Sequence, residues 1–430
     1  MPQNLMVLRD ALIRGGIRCK IEDFNVTKKK YESFNFYGYD FVGIGFVSGY
    51  WPHEESKKIA GVINSNKLRN KFKFIIGGHA PSAAPEYYKD LLGADSVFVG
   101  PAERFIVEWA TNGMHDGIFK SCEYDTHHSQ YNMLYSIINK DLPIYKRISF
   151  PNTRPHEFAI QLLSGRGCPY NCNFCFRMDG NYRPYPIELI VNDVNLYATR
   201  ENISHFQFSD ELLMINPGRL EELCERLVGV QEDIGRPLYF DCNGRLNFAS
   251  KHPEILVKMF NAGFRYINYG CESMSQEVLD KMNKKQTVEE IEKGIENTLS
   301  ANMSPGLNFM WGCPGDTIET LDAAANFIIN NNDGCELRTV RPMTPYPGTK
   351  FFKDLGITVE EFYKKHVNSD LFSYHFMDMS NRDADLAMAD CNERIVRSYH
   401  EKKLKKMFVE IHSFYSWLSE PSKFRGFREV

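Results

Sequence analysis

Residues 164–175, SGRGCPYNCNFC, hold three cysteines at the spacing Cys-x3-Cys-x2-Cys. Cys168, Cys172 and Cys175 can wrap one face of a metal centre, and soft thiolate ligands favour zinc or an iron–sulfur cluster. A closed structural zinc site normally has four ligands, and no nearby His or Cys completes a second pair at zinc-ribbon spacing. Three cysteines on one loop would leave the fourth iron of a 4Fe–4S cluster open to a ligand. A structural zinc loop or ordinary buried thiols are the alternative.

Strands and helices alternate on both sides of this loop. Helical patterns such as Ile187–Arg200 and Pro217–Val228 separate six short apolar segments. Six βα units in sequence predict an open or partial (β/α)6 barrel, in which functional residues lie where strands end. The predicted strands are Phe158–Leu163, His205–Phe208, Leu238–Asp241, Arg265–Tyr269, Leu307–Trp311 and Glu336–Arg341.

The cysteine pattern, with Phe174 as the aromatic residue before the last cysteine, resembles the signature of the radical S-adenosylmethionine (SAM) superfamily. That resemblance implies that the open iron binds the amino and carboxylate groups of SAM. It also implies that reduction of the cluster cleaves SAM to a 5′-deoxyadenosyl radical. Segments that resemble the family follow in the same order through residues 156–350. They include GCPGDT at 312–317 and TPYPGT at 344–349.

The resemblance also implies which residues bind SAM. FSDE, residues 208–211, is similar to the acidic segment that contacts the SAM amino group, and it leaves open whether Asp210 or Glu211 is the ligand. Arg245, in CNGR, matches a third-strand arginine that could hold a carboxylate. Glu272, in YGCES, belongs to a segment resembling one that lines the SAM site. A structural ion pair or helix cap at a strand end is the alternative for each.

Residues 1–125 predict a Rossmann-like parallel sheet, with strands at Tyr39–Phe46, Phe74–Gly78 and Ser96–Val99. This region resembles the cobalamin-binding domain that precedes many radical SAM domains. In that family the corrin and its nucleotide tail lie at strand ends. The residues that fall there are Ser48, Gly77, Gly78 and His79, of which His79 is either a corrin contact or a surface histidine.

One feature of this region departs from the cobalamin-binding family. Such domains open with a strand, whereas this sequence begins directly with a helical pattern through Leu5, Leu8 and Leu12, which Gly15 ends. A central strand and its Asp-x-His-x-x-Gly loop are therefore absent, so that either the sequence starts late or the domain is degenerate. The family's Gly-Glu-x-Glu segment also keeps only one acid, Glu103.

The rest of the chain predicts a linker and a tail. Pro143, Pro151 and Pro155 mark residues 126–155 as a linker, and residues 351–430 predict a helical region. The formal net charge of −4 argues against general nucleic-acid binding, and no apolar run is long enough to span a membrane. With eleven cysteines, of which only three are clustered, the sequence predicts a cytoplasmic protein with reduced thiols.

The two resemblances together imply a cobalamin-dependent radical SAM methyltransferase that acts on an unactivated carbon. Its expected cofactors are a 4Fe–4S cluster, SAM and cobalamin, and its expected electron donor is of the flavodoxin or ferredoxin type. One alternative is a cobalamin-independent radical SAM enzyme that cyclises or rearranges its substrate. The other is a non-catalytic relative, against which the intact cysteine triad argues. The sequence leaves the substrate open between a small molecule and a peptide.

Overall fold

The computed structural model describes residues 3–22, 30–46, 53–103, 105–121, 159–178, 181–366 and 374–419. Ser48, Phe158 and the predicted linker at 126–155 lie outside the described residues. The domain boundaries drawn from the sequence, 1–125, 126–155, 156–350 and 351–430, stay predictions.

The N-terminal part forms a parallel four-stranded sheet in the order β1-β2-β3-β4. The sequence prediction missed β4, because this short strand is only half-buried and carries a weak apolar pattern. The strands are β1 (Phe41–Phe46), β2 (Lys73–Gly78), β3 (Ser96–Val99) and β4 (Gly117–Lys120). The helices are α1 (Gln3–Arg14), α2 (His53–Asn70), α3 (His79–Ala83), α4 (Pro85–Leu92) and α5 (Phe105–Thr111), with a 3-10 turn at Tyr31–Ser33.

Helices cover both faces of this sheet because its strands are apolar on both sides. Phe74 of β2 packs in one core with α2 and α4. Its neighbour Ile75 points the other way and packs with Leu12 of α1 and Trp109 of α5. Burying such a side chain stabilises the fold by roughly 1.5–3 kcal/mol, so the two-sided pattern fixes a layered α/β domain.

The sheet has no vacant position between β1 and β2. The two strands pair directly over their whole length, from Phe41 opposite Lys73 to Phe46 opposite Gly78. In flavodoxin-like sheets the second and third strands flank the first. Among the described residues no strand lies between β1 and β2.

The second sheet is an open, all-parallel partial barrel of six strands in the order β12-β11-β10-β9-β8-β5, as the sequence predicts. The prediction of a strand over Glu336–Arg341 was wrong in extent, since only the end of that segment joins the sheet. The strands are β5 (Ala159–Leu162), β8 (His205–Phe208), β9 (Tyr239–Gly244), β10 (Phe264–Glu272), β11 (Ser304–Trp311) and β12 (Val340–Pro342), and a small antiparallel pair is formed by β6 (Gly165–Arg166) and β7 (Arg183–Pro184). The helices are α6 (Ile187–Glu201), α7 (Pro217–Ile234), α8 (Leu246–Lys251), α9 (Pro253–Asn261), α10 (Gln276–Lys281), α11 (Val288–Ser300) and α12 (Ile318–Asn331).

The two faces of the six-stranded sheet differ in chemistry. Stacked rings such as Phe208, Phe240 and Phe264 form the core on the face that packs against the helices. Cys242 and Cys271 belong to the same core and are at most 2 % exposed. They are therefore ordinary buried thiols. Residues of the opposite, concave face alternate with these and are mainly polar.

The C-terminal region is helical and touches both sheets. Phe362 and Tyr363 pack on the N-terminal sheet, whereas Met388 and Ile395 of the last helix join the core of the barrel. No helix among the described residues is long and apolar enough to cross a membrane. The helices are α13 (Lys350–Leu355), α14 (Val359–His366) and α15 (Asn381–Ser419).

Candidate active site at the carboxyl ends of the barrel strands

The loop that carries the three cysteines is fastened by hydrogen bonds. Asn173 donates from its backbone nitrogen to the carbonyl of Met282 and from Nδ2 to the carbonyl of Lys281, both at 2.8 Å. Arg177 joins the two ends of the loop, because its Nη1 donates to the carbonyl of Cys168 at 2.8 Å. These bonds fix the path of the backbone between the first and last cysteine.

The three cysteines lie close enough to affect one another. Cys168 and Cys172 are half-buried, and Cys175 is exposed at the edge of the loop. Although Cys175 is exposed as a residue, the surrounding protein desolvates its thiol and raises its pKa to about 11, and Cys172 and Cys168 contribute to the rise. Within the described residues no three His, Cys, Asp or Glu side chains are placed to share a single metal ion. A 4Fe–4S cluster binds each cysteine at a different iron, so its ligands need not share one ion, and this donor set fits it.

Arg245, which follows β9, places a positive charge against this loop. Its guanidinium stacks 3.6 Å from the ring centroid of Tyr170, and Nη1 lies 3.9 Å from Sγ of Cys172. Nη2 donates to the backbone carbonyls of Lys284 and Lys285. The predicted SAM-carboxylate ligand is thus buried, and its described contacts lie within the protein itself.

The structure places Asp210 and Glu211 in different surroundings. Asp210 is buried and accepts hydrogen bonds from the backbone nitrogen of Ser164 at 3.0 Å and from its hydroxyl at 2.8 Å. Burial raises the pKa of Asp210 to about 6, against the opposing effect of these bonds. Asp210 therefore ties the end of β8 to the end of β5. Glu211 is exposed; desolvation by the nearby loop raises its pKa, and the backbone N–H of Gly167 in the cysteine loop opposes that rise. Of the two, only Glu211 has a carboxylate accessible to a ligand.

Glu272, at the end of β10, forms an ion pair with Lys284. Its Oε1 lies 2.7 Å from Nζ of Lys284, and these side chains are only 9 % and 7 % exposed. Gly270 allows the pair to lie against the strand, because a Cβ there would overlap the carboxylate. Lys284 Nζ in turn lies 5.7 Å from the ring centroid of Phe174, the aromatic residue of the motif. The ion pair thus joins Glu272 to the cysteine loop.

The strand ends of the N-terminal sheet face the same loop. Gly78 has a φ of 101°, and a Cβ there would overlap the backbone of Phe46, so its own strand pairing explains this glycine. Gly77 lies beside the carbonyl of Phe98 in the same way, 3.3 Å from where its Cβ would be. The ring of His79 meets that of Phe176 edge-on at 5.6 Å, and burial lowers its pKa. A neutral imidazole at this edge of the sheet has a ring nitrogen suited to contact a corrin. The two glycines are explained by the strand pairing and give no separate support for a corrin site.

Sequence reasoning missed several residues that assemble this site. Glu103 forms an ion pair with Arg166, which joins the N-terminal sheet to the barrel beside the cysteine loop. Ser82 binds the backbone nitrogen of Gly100 at 3.0 Å and also contacts Sδ of Met178 at 3.5 Å. The single acid kept in GPAE was the signal for Glu103. No short sequence pattern predicts a contact between segments that are so far apart in the chain.

Comparison with known proteins agrees with this geometry. The sequence profile of the radical SAM superfamily matches residues 162–328, from the end of β5 into α12. The chain therefore contains a radical SAM domain. Such a domain implies a 4Fe–4S cluster and SAM, and the three-cysteine loop lies within the matched range.

The curated relatives that this chain matches share low identity with it. The anaerobic magnesium-protoporphyrin IX monomethyl ester cyclase of Rubrivivax gelatinosus is 24% identical over 271 residues, which are 63% of this chain and 44% of the cyclase. The bacteriochlorophyllide d C-12(1)-methyltransferase of Chlorobaculum tepidum is 24% identical over 239 residues, 54% of this chain and 49% of the methyltransferase. The chain spans about half the length of these curated relatives.

Solved structures share the fold across both sheets. The radical SAM methyltransferase TsrM of Kitasatospora setae, solved with cobalamin and a 4Fe–4S cluster, has a TM-score of 0.65 and 18% identity, covering 81% of this chain and 74% of TsrM. The cobalamin-dependent radical enzyme OxsB, with aqua-cobalamin bound, has a TM-score of 0.60 and 15% identity, covering 87% of this chain and 54% of OxsB. At such identities the likeness establishes the fold.

Proposed function

We propose that this protein is a radical SAM enzyme that reductively cleaves SAM at a cluster held by Cys168, Cys172 and Cys175, and that it methylates an unactivated carbon with the help of cobalamin. The observation that carries the proposal is the fastened three-cysteine loop at the carboxyl ends of the barrel strands. Reaction at this loop needs a one-electron donor, for which a flavodoxin or ferredoxin is suited.

The residues around the loop have roles that follow from their contacts. When bound, the cluster and SAM together supply the radical that abstracts hydrogen. Arg245 offsets negative charge on the thiolates in a buried setting, where charge interactions are stronger than in water. Glu211, exposed beside the loop, is suited to accept a charge-assisted hydrogen bond from the SAM ammonium. The N-terminal sheet, joined to the barrel through Glu103 and Arg166, limits access of water.

The cobalamin part of the proposal is supported by the arrangement of the two sheets. TsrM and OxsB share this fold over both parts of the chain and are solved with cobalamin. His79, directly after β2, meets the ring of Phe176 next to the cysteine loop, and we assign it as the residue that would contact the corrin.

A cobalamin-independent radical SAM reaction is the second candidate, and one observation favours it. β1 and β2 pair directly, and His79 and Phe176 already touch across the gap between the sheets. Ligands of doubly wound sheets bind at a switch in strand order, and the described order β1-β2-β3-β4 contains none.

One reconstitution experiment separates these possibilities. The protein is loaded anaerobically with iron, sulfide and hydroxocobalamin, desalted, and examined by absorption spectroscopy and by 5′-deoxyadenosine formation from SAM under reduction. Cluster absorption with stoichiometric corrin supports the methyltransferase, and cluster absorption without corrin supports the second candidate. Cys172→Ala should abolish SAM cleavage, and Cys19→Ala, remote from the loop, is the matched control. Unchanged cleavage by Cys172→Ala would refute both candidates.

A further inference from the structure

The concave face of the barrel carries a row of carboxamides. Asn268 of β10 donates from Nδ2 to Oδ1 of Asn243 at 3.0 Å, and Asn308 donates from Nδ2 to Oδ1 of Asn268 at 2.7 Å. Gln161 and Gln207 extend the row onto β5 and β8 through a bond of 3.0 Å. All five side chains belong to half-buried residues. A tightly packed barrel interior is filled by branched apolar residues, so this polar face is suited to a ligand.

An ion pair is held against this row. Arg338 donates from Nε to Oε2 of Glu336 at 2.8 Å, and its Nη2 binds Oδ1 of Asn268 at 3.0 Å and the hydroxyl of Tyr266 at 2.6 Å. Tyr266 donates to the same Oε2 of Glu336. The two charged side chains are 26% and 28% exposed, so both are reachable although fixed in place.

Glu336 and Arg338 each have one terminal polar group for which no contact is described. The described contacts of Glu336 all fall on Oε2, which leaves Oε1 as an acceptor. The described contacts of Arg338 use Nε and Nη2, which leaves the two N–H groups of Nη1. A negative acceptor and a positive donor therefore lie side by side on this face.

The pair contacts β10 before that strand ends. Asn268, which contacts Arg338, precedes Glu272 by four residues along β10. At about 3.3 Å per residue this separates Asn268 from the end of β10 by roughly 13 Å, whereas Gln161, Gln207 and Asn243 each lie one residue before the end of β5, β8 and β9. A small molecule spans that distance.

We propose that Glu336 and Arg338 bind the charged head of a zwitterionic substrate, an amino acid or a molecule built on one. Its ammonium would bind Oε1 of Glu336 and its carboxylate Nη1 of Arg338, which directs the rest of the molecule towards the strand ends. A lone anion would be repelled by Glu336 and a lone amine by Arg338, whereas a zwitterion satisfies both without bringing net charge into the barrel. The inference rests on the proposed function for the reaction, but binding itself can be tested apart from it.

The test measures binding to the reconstituted protein, with SAM in excess and no reductant, so that the SAM site is filled and no turnover occurs. Saturation-transfer NMR screens the twenty common L-amino acids, and each binder is then compared with its amide and its N-acetyl derivative. We expect at least one amino acid to bind, and both derivatives to bind at least about tenfold more weakly, since each loses one charged group. No binding up to about 10 mM, or equal binding of the derivatives, overturns the proposal.

Variants locate the site. Arg338→Lys and Glu336→Gln should each weaken binding of the amino acid by about tenfold or more. Arg341→Gln changes an exposed arginine three residues away and should leave the affinity unchanged. Equal affinity in all three variants would place the ligand elsewhere and refute the assignment. Formation of 5′-deoxyadenosine by the wild-type protein is measured separately. Its absence would contradict the proposed function and leave the binding result to decide this inference.

Discussion

Nη1 of Arg245 lies 3.9 Å from Sγ of Cys172, at the centre of the loop that carries the three cysteines. The same guanidinium stacks on Tyr170 and binds two backbone carbonyls. One buried side chain directly after β9 thus supports both the charge and the shape of a loop that follows β5.

Replacement of Arg245 should therefore weaken cluster retention. We expect Arg245→Met to lose most of its iron on desalting, because the positive charge beside Cys172 is gone and the carbonyls of Lys284 and Lys285 lose a donor. Leaving such groups unsatisfied costs about 1–3 kcal/mol each. Arg245→Lys should retain more iron than Arg245→Met. Iron content and absorption near the cluster bands measure the effect, with the exposed Arg341→Gln as control. Full iron retention by Arg245→Met would contradict this role.

The buried carboxyl of Asp210 should make stability depend on pH. Because burial raises the pKa of Asp210 from 3.8 to about 6, the folded protein holds this proton more tightly than the unfolded chain. The contribution of Asp210 to stability is thus largest below pH 3.8 and falls as pH rises through about 6. The difference in Tm between wild type and Asp210→Asn should shrink over that range. Thermal unfolding at a series of pH values measures it, with Asp390→Asn as a surface control. A difference that grows with pH would show that the sign is wrong.

The sequence predicted the fold, but not how the residues around the predicted cysteine triad are assembled. The apolar periodicity of the sequence predicts β8 with its observed bounds, because alternate residues of this strand pack against the helices. It extended the last strand too far, because Glu336 and Arg338 resemble strand residues but use their side chains to reach Tyr266. Long-range partnerships of this kind depend on the three-dimensional path of the chain. The assignment of Asp210 and Glu211 was open for the same reason, since only the fold decides which carboxylate is buried.

The ion pair of Glu272 and Lys284 should be costly to break from one side. Lys284→Met leaves the carboxylate of Glu272 buried without its partner, which typically costs 3–5 kcal/mol. The double variant Glu272→Gln with Lys284→Met removes the unpaired charge and should recover part of that loss. Urea unfolding of the single and double variants measures the free energies. Equal destabilisation in both variants would mean that charge burial is not the cause.

A pair of glycine substitutions tests the strand pairing that closes the N-terminal sheet. Gly78→Ala places a Cβ on a residue with a φ of 101° and into the backbone of Phe46, so we expect a loss of at least about 1–3 kcal/mol. Gly61→Ala is the matched control, because Gly61 lies within α2 with open space around its Cβ position. Alanine there should stabilise the helix by roughly 0.5–1 kcal/mol. Thermal unfolding compares the two, and a Gly78→Ala protein as stable as wild type would show that β1 and β2 do not pair in the register from Phe41 opposite Lys73 to Phe46 opposite Gly78. In that case the sheet could open between them, and the main argument for the cobalamin-independent reaction would fall with it.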